Sequence, residues 1–148
     1  MNDLQGQASL DALLPQARPM ILLSGYQPAD DPNTAVAFVE VTPESPFYDH
    51  AIQGVPSCVA LEYMAQTMAL CVGTIRRAQG LAPQVGYVLG TRRLDLRVPK
   101  FVCGVRYRVE TVCTFQDCEF GSFDCKIGDE AGGLVAFATL TAYQAAES

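Results

Sequence analysis

The chain has 148 residues, of which 49% are apolar and only 18% are charged, and its formal net charge is −6 at pH 7. A chain of this length and composition can form one domain with its own core over residues 1–148, and it is neither a disordered tail nor a solvated helical array. The acidic balance argues against nucleic-acid binding, which depends on a basic surface that neutralises phosphates.

Two paired strands are predicted in the N-terminal third of the chain. Residues 1–12 are polar, and we expect them to be flexible. The apolar run Met20–Leu23 starts a first strand, and a second strand over Ala35–Val41 follows a proline-containing turn. We expect the two strands to pair with each other.

A long apolar helix is predicted over about Pro56–Arg77. Its apolar residues lie on nearly every face, which is typical of a helix enclosed by protein. Pro56 suits a helix start, and Gly80 with Pro83 marks the exit. Polar residues interrupt every apolar run before it reaches the roughly 20 residues that span a bilayer, so we expect no membrane partner.

Strands are predicted over the rest of the chain, and we expect the last three of them to form a meander. One buried helix with about six antiparallel strands indicates an α+β fold whose sheet wraps around the helix. The predicted strands are Val85–Leu96, Val105–Phe115, Phe120–Ile127 and Leu134–Tyr143.

The cysteines and the N-terminus suggest an ordinary intracellular protein without metal. The six cysteines include no Cys-x-x-Cys pair and His50 is the only histidine, so we expect no metal site. No basic flank with an apolar stretch marks the N-terminus for export, so we expect a cytoplasmic location. There the thiols stay reduced, and most of them lie at apolar positions where cysteine acts as a small hydrophobe.

Glu62 is the residue with the clearest chemical meaning. Ionised glutamate is rarely buried without a partner, and the predicted helix offers little solvated surface. Desolvation favours the protonated carboxyl, which can donate a proton. Gln66 lies one turn later on the same face and could orient the carboxyl or line the same cavity. The alternative is a structural ion pair with a strand arginine.

His50 lies in the loop that leads to this helix, directly after Asp49. A neutral imidazole can remove the acidic proton next to a thioester carbonyl. Asp49 could orient the imidazole or replace it as the base. The alternative is a solvent-exposed loop histidine that happens to lie beside an aspartate.

The start of the predicted helix could bind a substrate oxygen. Free backbone N–H groups there can stabilise a carbonyl oxygen that becomes negative during proton abstraction. Gly54 would allow close approach of the substrate, although an ordinary loop glycine is the commoner explanation. Cys58 is an alternative nucleophile in the first turn. The candidate substrate-binding residues are Gly54, Val55, Pro56, Ser57 and Cys58.

Four cations lie close together in this otherwise acidic chain, and Arg18 is a candidate fifth. A phosphopantetheine phosphate or an acidic carrier protein would bind such a patch through charge-assisted hydrogen bonds. The alternative is an ordinary solvated strand face. The four residues are Arg92, Arg93, Arg97 and Lys100.

At these residues the chain resembles the bacterial single-hot-dog 3-hydroxyacyl-(acyl-carrier-protein) dehydratases. The most specific stretch is Leu61-Glu62-Tyr63-Met64-Ala65-Gln66. It is accompanied by Leu13-Leu14-Pro15 with Arg18-Pro19-Met20-Ile21-Leu22-Leu23, and by Val98-Pro99-Lys100-Phe101-Val102-Cys103-Gly104. The resemblance implies a hot-dog fold and homodimers, or higher oligomers, in which each active site combines a histidine from one subunit with a glutamate from the other.

The chain departs from that family at the histidine loop. The interval from His50 to Glu62 is two residues shorter than in the housekeeping enzymes, and the usual His-Phe-Pro-Gly is replaced by His50-Ala51-Ile52-Gln53. The shortened form resembles relatives associated with polyene and pigment-type acyl synthesis, some of which lack the histidine. A homologous subunit is therefore also an implied partner.

The leading hypothesis is dehydration of a 3-hydroxyacyl thioester, bound to a carrier protein, phosphopantetheine or CoA, to the trans-2-enoyl product. His50 would take the α-proton, Glu62 would protonate the departing hydroxyl, and no cofactor is required. A second hypothesis is a hot-dog thioesterase in which Glu62 activates water or attacks the carbonyl. A third is a non-catalytic subunit of a hetero-oligomeric dehydratase, which an orientation of His50 away from Glu62 would favour.

Overall fold

A long helix lies across an antiparallel sheet in the computed structural model, which describes residues 9–15, 20–84, 86–117 and 119–144. In these residues the helices are α1 (Leu10–Leu13) and α2 (Ala60–Ala78), and the strands are β1 (Gly25–Gln27), β2 (Thr34–Glu40), β3 (Gly54–Pro56), β4 (Gly86–Leu96), β5 (Lys100–Val102), β6 (Arg106–Asp117), β7 (Phe120–Gly128) and β8 (Leu134–Gln144). Six strands form one sheet in the order β1-β2-β6-β7-β8-β4, and β3 pairs with β5 in a second, small sheet.

The core lies between α2 and the inner face of the large sheet. Alternate residues of β6, such as Tyr107 and Val109, are buried against the helix, while their neighbours are exposed on the outer face. On the helix, Tyr63, Met64 and Leu70 are almost fully buried. This arrangement confirms the predicted α+β class and is the hot-dog fold that the family resemblance implies.

The predicted strand pairings are confirmed. β1 pairs with β2, and β6, β7 and β8 follow one another as an antiparallel meander. The predicted strand over Ala35–Val41 differs from β2 by one residue at each end, and Val85, the predicted first residue of β4, lies outside the described part of the chain. The helix ends at Ala78, and Gly80 turns the chain with a φ of 75°.

The prediction of a strand over Met20–Leu23 is wrong, because the first strand begins only at Gly25. The backbone of this segment is hydrogen-bonded to a side chain of α2 instead of to a strand. The Gln66 amide donates to the Met20 carbonyl at 2.7 Å and accepts from the Leu22 N–H at 2.8 Å. The segment therefore crosses the helix before it joins the sheet.

Part of the N-terminal segment that was expected to be flexible is helical. Residues 1–8 lie outside the described range, but Leu10–Leu13 forms α1, and the Ser9 hydroxyl caps it by accepting from the Ala12 N–H. α1 packs on α2 at Gly73, where a Cβ would overlap the Leu13 carbonyl. Only glycine allows the two helices to approach this closely.

The start of the long helix also differs from the prediction. Gly54–Pro56 is strand β3, Ser57–Val59 is a 3₁₀ turn, and α2 begins at Ala60 instead of Pro56. The pattern did not reveal β3 and β5, since each is only three residues long. A Cβ at Gly54 would overlap the Phe101 carbonyl of β5, so glycine is required where the two strands meet.

The apolar composition of α2 is explained by its central position. By length and hydropathy alone, Ser57–Ala78 could cross a membrane, with a mean hydropathy of 1.4. Half of this stretch is buried inside the domain. A helix enclosed by its own sheet has the same apolar character as a membrane span.

Candidate active site

A cavity of about 360 Å³ runs along one side of α2, between the helix and the strands β4, β7 and β8. Its helical side consists of Glu62, Ala65, Met68, Ala69, Val72 and Gly73, which follow one another at helical spacing. We call this cavity the α2 groove. With a rise of about 1.5 Å per residue, the groove follows roughly 16 Å of helix, and Glu62 lies at its N-terminal end. Apart from Glu62, the helical side of the groove is apolar.

The Glu62 carboxyl is held by the neighbouring turn of the same helix. The Gln66 amide donates to Glu62 Oε1 at 3.0 Å. Gln66 is fully buried, and its other hydrogen bonds, to Met20 and Leu22, leave its N–H₂ group no freedom to turn away. The structure thus brings together the two helix residues that the sequence singled out. No described arginine forms an ion pair with Glu62.

His50 lies in a tight turn that is closed by two hydrogen bonds between the backbones of Asp49 and Gly54, at 2.8 and 3.3 Å. The imidazole is exposed and meets the Tyr48 ring edge-on, with 4.9 Å between ring centroids. The Asp49 carboxylate accepts the Ala51 N–H at 2.9 Å, so it stabilises the turn. Of the described residues that line the α2 groove, none belongs to this turn. Within one protomer, His50 and Asp49 are therefore separated from the cavity of Glu62.

Lys100 is attached to the His50 turn, although the sequence grouped it with the arginines. Its ammonium donates to the Ile52 carbonyl at 2.5 Å. The backbone N–H of Cys103 donates to the next carbonyl of the turn, that of Gln53. The turn is thus hydrogen-bonded to the first residue of β5, Lys100, and to Cys103, which directly follows β5. Sequence reasoning missed this role, because no local pattern links residues so far apart in the chain.

Fewer backbone N–H groups are free before the helix than the sequence predicted. The Gly54 N–H donates to the Asp49 carbonyl and the Ser57 N–H to the Pro99 carbonyl, and Pro56 has no N–H. Val55 is fully buried in β3. Of the five predicted residues, Cys58 alone contributes an N–H to the first turn before α2, where helical geometry provides no intrahelical acceptor. The N–H of its neighbour Val59 is not free, because the 3₁₀ turn pairs it with the carbonyl of Pro56.

The three arginines of the predicted anion patch are exposed, Arg92 and Arg93 on β4, which is an edge strand of the sheet, and Arg97 directly after it. Arg93 forms an ion pair with Asp95 at 2.8 Å and lies over the Phe137 ring. Arg92 lies at a bulge of the strand, and neither it nor Arg97 has an ion pair within the described residues. Arg18 lies outside the described residues. Two cations, Arg92 and Arg97, thus remain available to an anionic partner.

Two cysteines have the structural role that the sequence predicts. Burial raises the pKa of Cys71 to about 11 and that of Cys125 to about 12, so both thiols stay neutral in the core. Cys58, in contrast, is exposed, and Cys118 lies outside the described residues. In the described part of the chain, no three His, Cys, Asp or Glu side chains are grouped closely enough to hold a metal ion.

The site and the fold can be compared with known proteins. Residues 8–148 match the ApeP-like family, described as ApeP dehydratase. Among solved structures, the chain is similar to the dehydratase heterocomplex ApeI:P from Xenorhabdus doucetiae, with a TM-score of 0.86 and 29% identity over 95% of this chain and 93% of that chain. A search of curated proteins gave no significant match.

More distant structures share the fold. The chain is similar to the E. coli PaaI protein from the phenylacetic acid degradation operon, with a TM-score of 0.62 and 18% identity over 80% of this chain and 81% of that chain. It is also similar to a hypothetical thioesterase with coenzyme A from Streptococcus pneumoniae, with a TM-score of 0.65 and 13% identity over 85% of this chain and 90% of that chain. At these identities the likeness concerns the fold alone.

Proposed function

Because the chain belongs to the ApeP-like dehydratase family, we propose that it removes water from 3-hydroxyacyl thioesters to give trans-2-enoyl thioesters. The observation that carries this proposal is the position of Glu62. Its carboxyl lies at one end of the α2 groove, whose helical side is otherwise apolar, and is oriented by the buried Gln66 amide. A proton donor beside the apolar helical side of the α2 groove suits a substrate with a polar reacting end and a hydrocarbon chain.

In the proposed reaction, the acid and the base act on adjacent carbons. The base removes a proton from C2, the electrons of that C–H bond form the C2–C3 double bond, and the C3–O bond breaks. Glu62 gives its proton to the departing hydroxyl, which leaves as water. The base then returns its proton to Glu62 through solvent, so the step balances without an oxidant, a reductant or a cofactor.

We assign the base to His50 of a second subunit, with Asp49 orienting it or replacing it. The His50 turn does not line the α2 groove of its own protomer, whereas strand β4 beside the groove has no partner among the described residues on its outer edge. β4 has 11 residues, is almost entirely exposed and carries apolar side chains such as Tyr87 and Leu89, with exposed fractions of 60% and 57%. Such an edge favours pairing with another chain. Two subunits joined at β4 would close the open side of the groove.

The first turn before α2 would bind the thioester oxygen. The N–H group of Cys58 has no acceptor within the 3₁₀ turn and lies at the positive end of the helix. An enolate oxygen that develops during proton removal would be stabilised by this group. Gly54 and Ser57 are excluded from this role, because their N–H groups are already used.

The carrier of the thioester would approach along β4. Arg92 and Arg97 are exposed cations without ion pairs in the described residues, and a phosphopantetheine phosphate or an acidic carrier protein would complement them. We therefore propose an acyl carrier protein as the substrate carrier, with phosphopantetheine or CoA thioesters as minimal substrates. A cytoplasmic location stays the prediction from the sequence.

A second candidate function is that of a non-catalytic subunit in a hetero-oligomer. The exposed imidazole and its separation from the α2 groove favour this alternative. In that case the chain would supply binding surface or Glu62 alone to a site completed by a homologue.

The purified chain, incubated with a 3-hydroxyacyl-pantetheine thioester, tests the proposal. We expect an enoyl thioester, detected by mass spectrometry as a loss of one water from the substrate. Release of free thiol would instead identify a thioesterase. Absence of both products until a homologous dehydratase subunit is added would identify the non-catalytic subunit.

A further inference from the structure

A second cavity, of about 600 Å³, lies on the other side of α2. The strands β1 and β2 and the connection between them form one side. The residues of α2 on the other side are Leu70, Cys71, Thr74, Ile75, Arg77 and Ala78. None of the residues assigned to the proposed reaction lines it. The proposed reaction therefore gives the second cavity no role.

Leu13 is the one described residue that lines both the α2 groove and the second cavity. It is the last residue of α1 and has an exposed fraction of 2%. Its carbonyl lies against Gly73, which belongs to the helical side of the α2 groove. The Ser9 cap and the hydrogen bond from the Leu14 N–H to the Leu10 carbonyl hold the α1 turn in place. Leu13 thus separates two cavities whose walls share no other residue in the described part of the chain.

Under the proposed function, the acyl chain lies in the α2 groove. The reacting carbons must be close to Glu62, and the apolar lining continues from there along Ala65 and Ala69 toward Gly73. An extended hydrocarbon advances about 1.3 Å per carbon, given a C–C bond of about 1.5 Å. A chain of roughly a dozen carbons would therefore reach the part of the groove that Leu13 lines.

We propose that Leu13 determines the size of the acyl chain that the enzyme accepts, by closing the α2 groove against the second cavity. This inference rests on the proposed function, because it takes the α2 groove as the acyl site. Removal of the Leu13 side chain would join the two cavities. The second cavity has an apolar side, with Ala35, Val36 and Leu70 in its lining, so a longer or branched chain could extend into it.

Leu14 provides a matched control. It has the same exposed fraction as Leu13, 2%, follows it directly and lines neither cavity. Leu13→Ala and Leu14→Ala remove the same atoms from the core, and both lower stability by the loss of packing. Only Leu13→Ala should open the wall between the two cavities.

The test measures the affinity of the three proteins for 3-hydroxyacyl-pantetheine amides of increasing chain length by calorimetry. For the wild type, we expect Kd to fall about fourfold with each added methylene until the groove is filled, and then to stop falling. Leu13→Ala should move this limit to longer chains, whereas Leu14→Ala should leave it in place. If Leu13→Ala does not fold, Leu13→Val with Leu14→Val as its control should move the limit in the same direction by less.

Two results would overturn the inference and are distinguishable. A chain-length limit that is the same in the wild type and both variants, or that moves equally in both, would remove the role of Leu13 and leave the proposed function intact. Failure of the wild type to bind any of the amides would contradict the acyl site itself, and with it both proposals.

Discussion

The carboxyl of Glu62 accepts a hydrogen bond of 3.0 Å from the amide of Gln66, and the same amide fixes the chain segment that precedes β1. Gln66 is fully buried and bonds to the backbone on both sides of Ile21. One side chain therefore sets both the path of the N-terminal segment over α2 and the orientation of the proposed acid.

Replacement of Gln66 by Met should destabilise the fold. The volume is retained, but the Leu22 N–H and the Met20 carbonyl lose their partner, and a buried unpaired group costs about 1–3 kcal/mol. We expect the free energy of unfolding in urea to fall by about 2–5 kcal/mol. Gln79→Met, at the exposed C-terminal end of α2, is the control and should change it by less than about 0.5 kcal/mol. Equal stability of the two variants would contradict this role of Gln66.

Mixing of two inactive variants tests the site that is shared between subunits. His50→Ala and Glu62→Gln should each lose most activity alone. After unfolding and joint refolding, half of the dimers are mixed and each mixed dimer has one intact site, so about a quarter of the wild-type activity should return. No recovery, although mixed dimers are detected by native mass spectrometry, would place both groups of a site in one chain. Asp49→Asn in place of His50→Ala shows whether Asp49 is the base.

Charge reversal at Arg92 or Arg97 should weaken binding of the carrier protein and leave the chemical step unchanged. We expect Arg92→Glu or Arg97→Glu to raise KM for a carrier-bound substrate much more than KM for a pantetheine thioester, since only the former presents an acidic surface. High salt should have the same effect on the wild type. Arg77→Glu, at the exposed C-terminal end of α2, is the control. A similar rise in KM for both substrates would indicate a structural or phosphate-binding role.

The thiols should differ in reactivity according to their burial. Burial raises the pKa of Cys125 to about 12 and that of Cys71 to about 11, so neither forms the reactive thiolate in the folded protein near neutral pH. Iodoacetamide should therefore modify the exposed Cys58 first, and the buried pair only after unfolding. Peptide mass spectrometry checks this order. Modification of Cys125 at the rate of Cys58 would show that the core opens locally.

Residue pattern was enough to predict the main elements of the fold. The apolar α2 and the alternation of exposed and buried residues in β6 both follow from regular periods along the chain. The pairing of β1 with β2 and the meander of β6, β7 and β8 are local in sequence and were also predictable. Elements of three residues, such as β3 and β5, are too short to show a period.

Tertiary contacts decided the features that the pattern predicted wrongly. The run Met20–Leu23 is as apolar as a strand, but the Gln66 amide binds its backbone, and this contact joins residues far apart in sequence. In the same way, the carbonyls of Asp49 and Pro99 accept the Gly54 and Ser57 N–H groups that were expected to be free before the helix. Lys100 bonds to the His50 turn. Glu62 and Gln66 were predictable as a pair, because they are one helical turn apart.

The most direct test of the account is the turnover number of Glu62→Gln, measured with a 3-hydroxyacyl-pantetheine thioester beside the wild type and Glu40→Gln. Gln keeps the shape of the side chain but cannot donate the acid proton, whereas Glu40 is an exposed carboxylate that pairs with Arg106 on the outer face of the sheet. We predict a loss of about 10²–10⁴-fold in kcat for Glu62→Gln, an unchanged free energy of unfolding and near-normal kcat for Glu40→Gln. Near-normal turnover by a folded Glu62→Gln variant would contradict the assignment of Glu62 as the general acid.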